Sequence, residues 1–85
     1  MYTLEIGASA RTDLRRLDAA IRARVRTKLE RLRETCDSQP HKRLKGKHRD
    51  KFSLTVAQHY RILYTFDRRT REIIVHRVGH RRNVY

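Results

Sequence analysis

Five side chains in the last third of the chain have the types that phosphodiester chemistry on RNA uses: Arg61, His76, His80, Arg81 and Tyr85. Cleaving RNA without a metal needs a group that takes the 2′-hydroxyl proton. It also needs cations on the phosphate as charge builds, and an acid for the departing 5′-oxygen. Histidine serves as acid or base near neutral pH, arginine grips a phosphate with a forked guanidinium, and tyrosine stacks on a base or passes a proton. A basic face that only binds RNA would carry the same residue types, so at this level both readings stand. Other chemistries lack their parts: there is no paired carboxylate for glycoside work, no plausible Cys–His nucleophile and no glycine-rich phosphate loop.

Strands must position these residues. "FSLTV" sends Phe52, Leu54 and Val56 to one face and Ser53 and Thr55 to the other. "YRILYTF" continues the pattern, with Tyr60, Ile62, Tyr64 and Phe66 on the first face and Arg61 on the second. "EIIVHRV" is apolar on both faces until His76 and Arg77 interrupt it, and "DRRT" before it is a polar turn. A loop centred on Arg68-Arg69 would set Arg61 opposite His76, with Cβ atoms about 5 Å apart. A loop one residue longer or shorter brings Arg77 there instead. On this reading the second face is open and basic, and "GHRRNVY" leaves the last strand beside it.

The amino-terminal half reads as scaffold. "YTLEI" alternates Tyr2, Leu4 and Ile6 as a half-buried strand, Gly7 breaks it, and Ser9 can cap the helix that follows. Leu14, Leu17, Ile21, Val25, Leu29 and Leu32 draw one apolar stripe on a helical surface. Asp18 can cap a second helix, so the segment is a helical hairpin turning near residues 17–19 or one bent long helix. Cys36 extends the stripe as a small core residue, and Pro40 cannot continue the helix. "HKRLKGKHRDK" is a basic loop with Leu44 as its apolar anchor and six Lys/Arg. Its Lys45, Lys47, Arg49 and Lys51 are expected to contact RNA phosphates, together with Ser53, Thr55 and His76 on the open face. The fold expected is α+β: one domain over 1–85, with an N-terminal strand and the helices packed on one face of a mostly antiparallel four-stranded sheet.

Charge narrows the partners. The net charge is +13, with +3 on residues 1–40 and +10 on residues 41–85, which also hold all five histidines. Such a balance calls for a polyanion. A membrane is the weakest candidate, because the sequence has no long apolar segment and no signal-like run. The single cysteine cannot form an intrachain disulfide, and zinc-type Cys/His spacings are absent. No metal or cofactor is expected, and a cytoplasmic location is the simplest.

At "KFSLTVAQHYRILYTFDRRTREIIVHRVGHRRNVY" the chain resembles the RelE/ParE superfamily of bacterial type II toxins, nearest the RelE-type mRNA endonucleases. The resemblance runs from "YTLEI" through "ARTDLRRLDAAIRARVRTKLERL" and "RLKGK" to the terminal "VGHRRNVY". It implies metal-independent cleavage of mRNA in the ribosomal A site by 2′-hydroxyl attack, leaving a 2′,3′-cyclic phosphate. It implies that Arg61 and Arg81 stabilise the phosphate, and that Tyr85 stacks on or activates the substrate. His80 stands at a position of basic character. The best-studied branch has two lysines where this chain has Ser53 and Thr55, so the proton role passes to His80 or, failing that, His76. The resemblance further implies an acidic antitoxin partner, with complexes of two toxins and two antitoxins common. The alternatives kept open are a ParE-like inhibitor of DNA gyrase and a non-catalytic basic RNA-binding module.

Overall fold

The apolar patterning is realised as five strands and three helices in the computed structural model, which describes all 85 residues. In chain order these are β1 (Thr3–Ile6), α1 (Ala8–Arg16), α2 (Ala19–Thr35), β2 (Lys42–Arg43), β3 (Phe52–Val56), β4 (Tyr60–Asp67), β5 (Glu72–His80) and α3 (Arg81–Val84). The sheet runs β1-β5-β4-β3-β2, antiparallel throughout except for the parallel pairing of β1 with β5. Four strands become five because Lys42 and Arg43, at the head of the basic loop, pair with Ser53 and Phe52.

Local chemistry explains the helix boundaries. The hairpin form is the one adopted, since Asp18 caps α2 by accepting the Ile21 N–H at 2.9 Å. Ser9 does not cap α1. Gly7 holds that position without a side-chain bond, because its N–H still continues the sheet to the Val75 carbonyl at 2.9 Å. A Cβ on Gly7 would stand 3.0 Å from that same carbonyl oxygen, so the strand-to-helix passage has no room for a side chain. Val25, Leu29, Leu32 and Cys36 carry the buried stripe of α2 against the sheet.

The core holds one polar bridge that the basic composition of residues 41–51 conceals. His41 turns inward, its Nδ1 2.6 Å from the Tyr64 hydroxyl and its Nε2 2.8 Å from the Cys36 carbonyl oxygen. Its ring lies 4.3 Å from that of Phe66 and 5.5 Å from that of Phe52. Burial pushes the Tyr64 hydroxyl up to about 12, and Cys36 adds to the shift.

One carboxylate braces β5 where β1 runs out. Pairing with β1 stops at Val75, which leaves the next stretch of β5 with an unpartnered edge. Asp13 of α1 fills the gap, taking the Val78 N–H at 2.9 Å and the Arg77 guanidinium at 2.8 and 3.2 Å. Burial alone would raise this carboxyl; the bonds from Arg77 and Val78 and the charges of Arg77 and Arg16 outweigh it, and it titrates below the usual carboxylate range. A depressed native value contributes stability above the unfolded pKa of about 3.9, lost as pH falls through the native value. Denaturant unfolding of wild type and Asp13→Asn should therefore show a stability difference that is full near neutrality and shrinks below about pH 4. A difference independent of pH would contradict this role.

Candidate active site

A strained turn anchors the site. β3 and β4 are joined by Ala57, Gln58 and His59, and neither Ala57 (φ 47°) nor Gln58 (φ 66°) is a glycine. Left-handed backbone at such residues costs on the order of 1–3 kcal/mol each and persists only where surrounding bonds over-determine it. Here four bonds do so. The His59 N–H reaches the Ala57 carbonyl at 2.7 Å, and the His59 carbonyl accepts the Arg81 N–H at 2.8 Å. Arg61 folds its guanidinium back onto the turn, with Nη1 donating to the Gln58 and Tyr60 carbonyls at 3.1 Å each.

His80 ends β5 beside this turn. Its ring stacks on that of His59, with centroids 5.9 Å apart and planes 15° from parallel, and meets Tyr60 edge-on at 5.5 Å. Its Nδ1 accepts the Arg82 N–H at 3.2 Å and so starts α3. Desolvation lowers its pKa, and the positive field of Arg82, His59, Arg81 and Arg61 lowers it further. Both effects favour the neutral ring over the imidazolium. Arg61, His80 and Arg81 thus come together around one turn, as expected.

The route by which they meet differs from the expected one. Arg61 pairs with Gly79, not with His76 or Arg77. The loop from Arg68 to Arg71 sits further along the sequence than a turn centred on Arg68-Arg69, and the register shifts again between Leu63 and Tyr64. That irregularity leaves His76 without a β4 partner residue. His76 is half-buried, its Nε2 2.9 Å from the Thr65 hydroxyl, and burial followed by the charge of Lys51 lowers its pKa. It belongs to a different part of the sheet from Arg61.

The second sheet face is not open either. α3 folds back onto it: Val84 is 3% exposed, and a Cβ on Gly79 would lie 3.8 Å from the Val84 Cβ. Leu63 and its partner Ser53 are 0% and 6% exposed. Ser53 is therefore too buried to serve as the RNA contact expected of it. Thr55, paired with Arg61, stays exposed. Lys45, Lys47 and Arg49 are exposed, whereas Lys51 is half-buried and ion-paired with Asp50 at 3.2 Å. Tyr85 is exposed and rests 6.3 Å from the ring of His48, on the basic loop. His59, assigned no site role from the sequence, stands stacked on His80 in the β3–β4 turn. Its signal was the position just before the "YR" strand, but nothing in "AQH" marks a left-handed turn. No group of three or more His, Cys, Asp or Glu side chains is arranged to hold a metal ion.

The model of the ParE toxin of type II toxin-antitoxin systems, parDE, matches residues 4–85. The chain belongs to the RelE/ParE superfamily of type II toxins. Among solved structures it is similar to the toxin-antitoxin complex RelBE2 from Mycobacterium tuberculosis, at 30% identity and a TM-score of 0.80, covering 94% of this chain and 98% of that one. The isolated E. coli RelE toxin has the same fold at 23% identity and a TM-score of 0.77, over 94% and 84% of the two chains. So does a YoeB/ParE toxin from Agrobacterium tumefaciens at 17% identity and a TM-score of 0.75, over 92% and 96%. No curated protein sequence matches the chain. As a RelE/ParE toxin it has no helix long and apolar enough to cross a membrane.

Proposed function

We propose that this toxin is a ribosome-dependent endoribonuclease that cleaves mRNA in the ribosomal A site by 2′-hydroxyl attack, without a metal or cofactor, and so stops translation. The observation that carries this reading is the convergence of Arg61, His80 and Arg81 on the strained β3–β4 turn. Arg61 and Arg81 hold the phosphate and offset its growing charge. His80 directs a ring N–H at it, and Tyr85 swings from His48 to stack on a base. Lys45, Lys47, Arg49, Lys51 and Thr55, with His76 more remotely, guide the RNA backbone.

Two structures with this fold, RelBE2 and the E. coli RelBE complex, hold toxin with antitoxin. By the same logic the partner here is an acidic antitoxin whose segment orders on the +13 toxin, in a complex of two toxins and two antitoxins in the cytoplasm. Steering by charge makes association the salt-sensitive step. Raising salt from about 50 to 500 mM is expected to slow association more than it speeds dissociation in stopped-flow binding; the reverse would contradict steering.

A second reading, inhibition of DNA gyrase, is favoured by the ParE name of the matching family model. Induced expression separates the two. Mapping transcript 5′ ends should reveal new ends within translated codons, reduced for His80→Ala. Gyrase-dependent DNA breaks with intact transcripts would instead support the second reading.

A further inference from the structure

We propose that His59 is the base that takes the 2′-hydroxyl proton, with His80 as its stacking neighbour; this rests on the nuclease reading above. The lysine pair associated with that chemistry is replaced here by Ser53, which is buried, and Thr55, so the proton acceptor must come from elsewhere. His80 is poorly set for it. Its Nδ1 accepts the Arg82 N–H, which in a neutral imidazole leaves the proton on Nε2. Neutral His80 thus offers a donor and no lone pair, and becoming a base would cost it the bond that starts α3.

His59 has the opposite setting. It is exposed, and its ring contact is the stacked ring of His80. The left-handed Ala57 and Gln58 turn the chain so that His59 stands beside the two arginines, and the Arg81 N–H pins its carbonyl. Strain fixed by bonds from the site's own arginines is a means of aiming a side chain. The charged groups around the pair are Arg61 on β4, Arg81 and Arg82 on α3, and Arg16, Asp13 and Arg77, which line the cleft that His80 borders.

In the step, a lone pair on the His59 ring takes the 2′-hydroxyl proton and O2′ forms its bond to phosphorus. The P–O5′ bond breaks with its electron pair on O5′, which takes a proton from water. The hydroxide so formed recovers the proton from the His59 imidazolium. The products are a 2′,3′-cyclic phosphate and a 5′-hydroxyl, and no electron is gained or lost. The Nε2–H of His80 donates to the phosphate throughout.

The test is single-turnover cleavage on mRNA-programmed ribosomes from about pH 5.5 to 8.5, for wild type, His59→Gln, His59→Asn, His80→Gln and Arg81→Ala. Wild type should slow on the acid side with a one-proton slope. Both His59 variants should be about 10²–10⁴-fold slower and lose that slope, with ribosome affinity unchanged. His80→Gln should be slower but keep it. The slope is read on whatever fraction is folded, so a partly unfolded variant does not confuse the result. Cleavage by wild type with the acid slope intact in both His59 variants, or lost in His80→Gln, overturns the proposal alone. No cleavage by wild type overturns the nuclease reading and the proposal with it.

Discussion

Arg81→Ala is expected to slow mRNA cleavage by about 10²–10³-fold while leaving the thermal midpoint unchanged. The side chain is exposed, so its removal opens no cavity. The bond that ties this segment to the β3–β4 turn comes from the Arg81 backbone N–H to the His59 carbonyl, and alanine keeps it. What is lost is one preorganised cation at the place where phosphate charge grows, and that sets the magnitude. Arg61→Ala is a less selective probe. Its guanidinium also holds the Gln58 and Tyr60 carbonyls, so its loss relaxes the strained turn as well as removing a charge. Rates for the purified protein on programmed ribosomes, beside a thermal melt, check the prediction. An Arg81→Ala protein that cleaves at the wild-type rate would remove this arginine from the site.

Tyr64→Ala is expected to cost about 3–5 kcal/mol, the range for truncating a large buried aromatic. A chain of this length has on the order of 4–13 kcal/mol of total stability, so the variant sits near the unfolding limit at 37 °C. Tyr64 is 0% exposed and lies within 5.8 Å of Phe52 and of His41, ring centre to ring centre. Its truncation opens a hole beneath the aromatic cluster and leaves His41 without its hydroxyl partner. Tyr64→Phe separates the two effects. The ring remains and only the 2.6 Å contact with His41 goes, so the cost should fall to about 1–3 kcal/mol, that of one buried unpaired polar group. Urea unfolding of the three proteins gives the order wild type, Phe, Ala. Equal losses for Phe and Ala would mean that the ring contributes little and the polar bridge nearly all.

Several features of the fold could be read before any coordinates. The stripe from Leu14 to Leu32 predicts helices with one buried face, because the helical period repeats regardless of context. Asp18 marks the hairpin turn, since capping is a local bond between a side chain and the next turn's N–H. The alternation in "FSLTV" and "YRILYTF" predicts which residues enter the main core, and Val56, Ile62 and Tyr64 do. The basic residues of the site were also legible as types, and Arg61, His80 and Arg81 do meet.

What was not legible depended on contacts between distant segments. Ser9 has the chemistry of a cap, but the Gly7–Val75 sheet bond starts α1 first. Ser53 alternates onto the polar face by pattern yet is 6% exposed, and Val84 is buried on a four-residue α3 too short to leave a periodic signature. His41 sits in a run of cations but turns inward, because Tyr64 and Cys36 offer its nitrogens partners.

The sequence by itself thus determined the layers, the helix boundaries set by caps, the charge of +13 and the stock of phosphate-handling side chains. These follow from local periodicity and composition, which need no partner segment. Only the tertiary structure decided that Arg61 faces Gly79, that His59 stacks on His80, and that Tyr85 rests against His48. Each of these hangs on strand register. In a two-residue repeat, a slip of one position sends every side chain to the other face, and the alternation within each strand carries no mark of the shift at Leu63 and Tyr64.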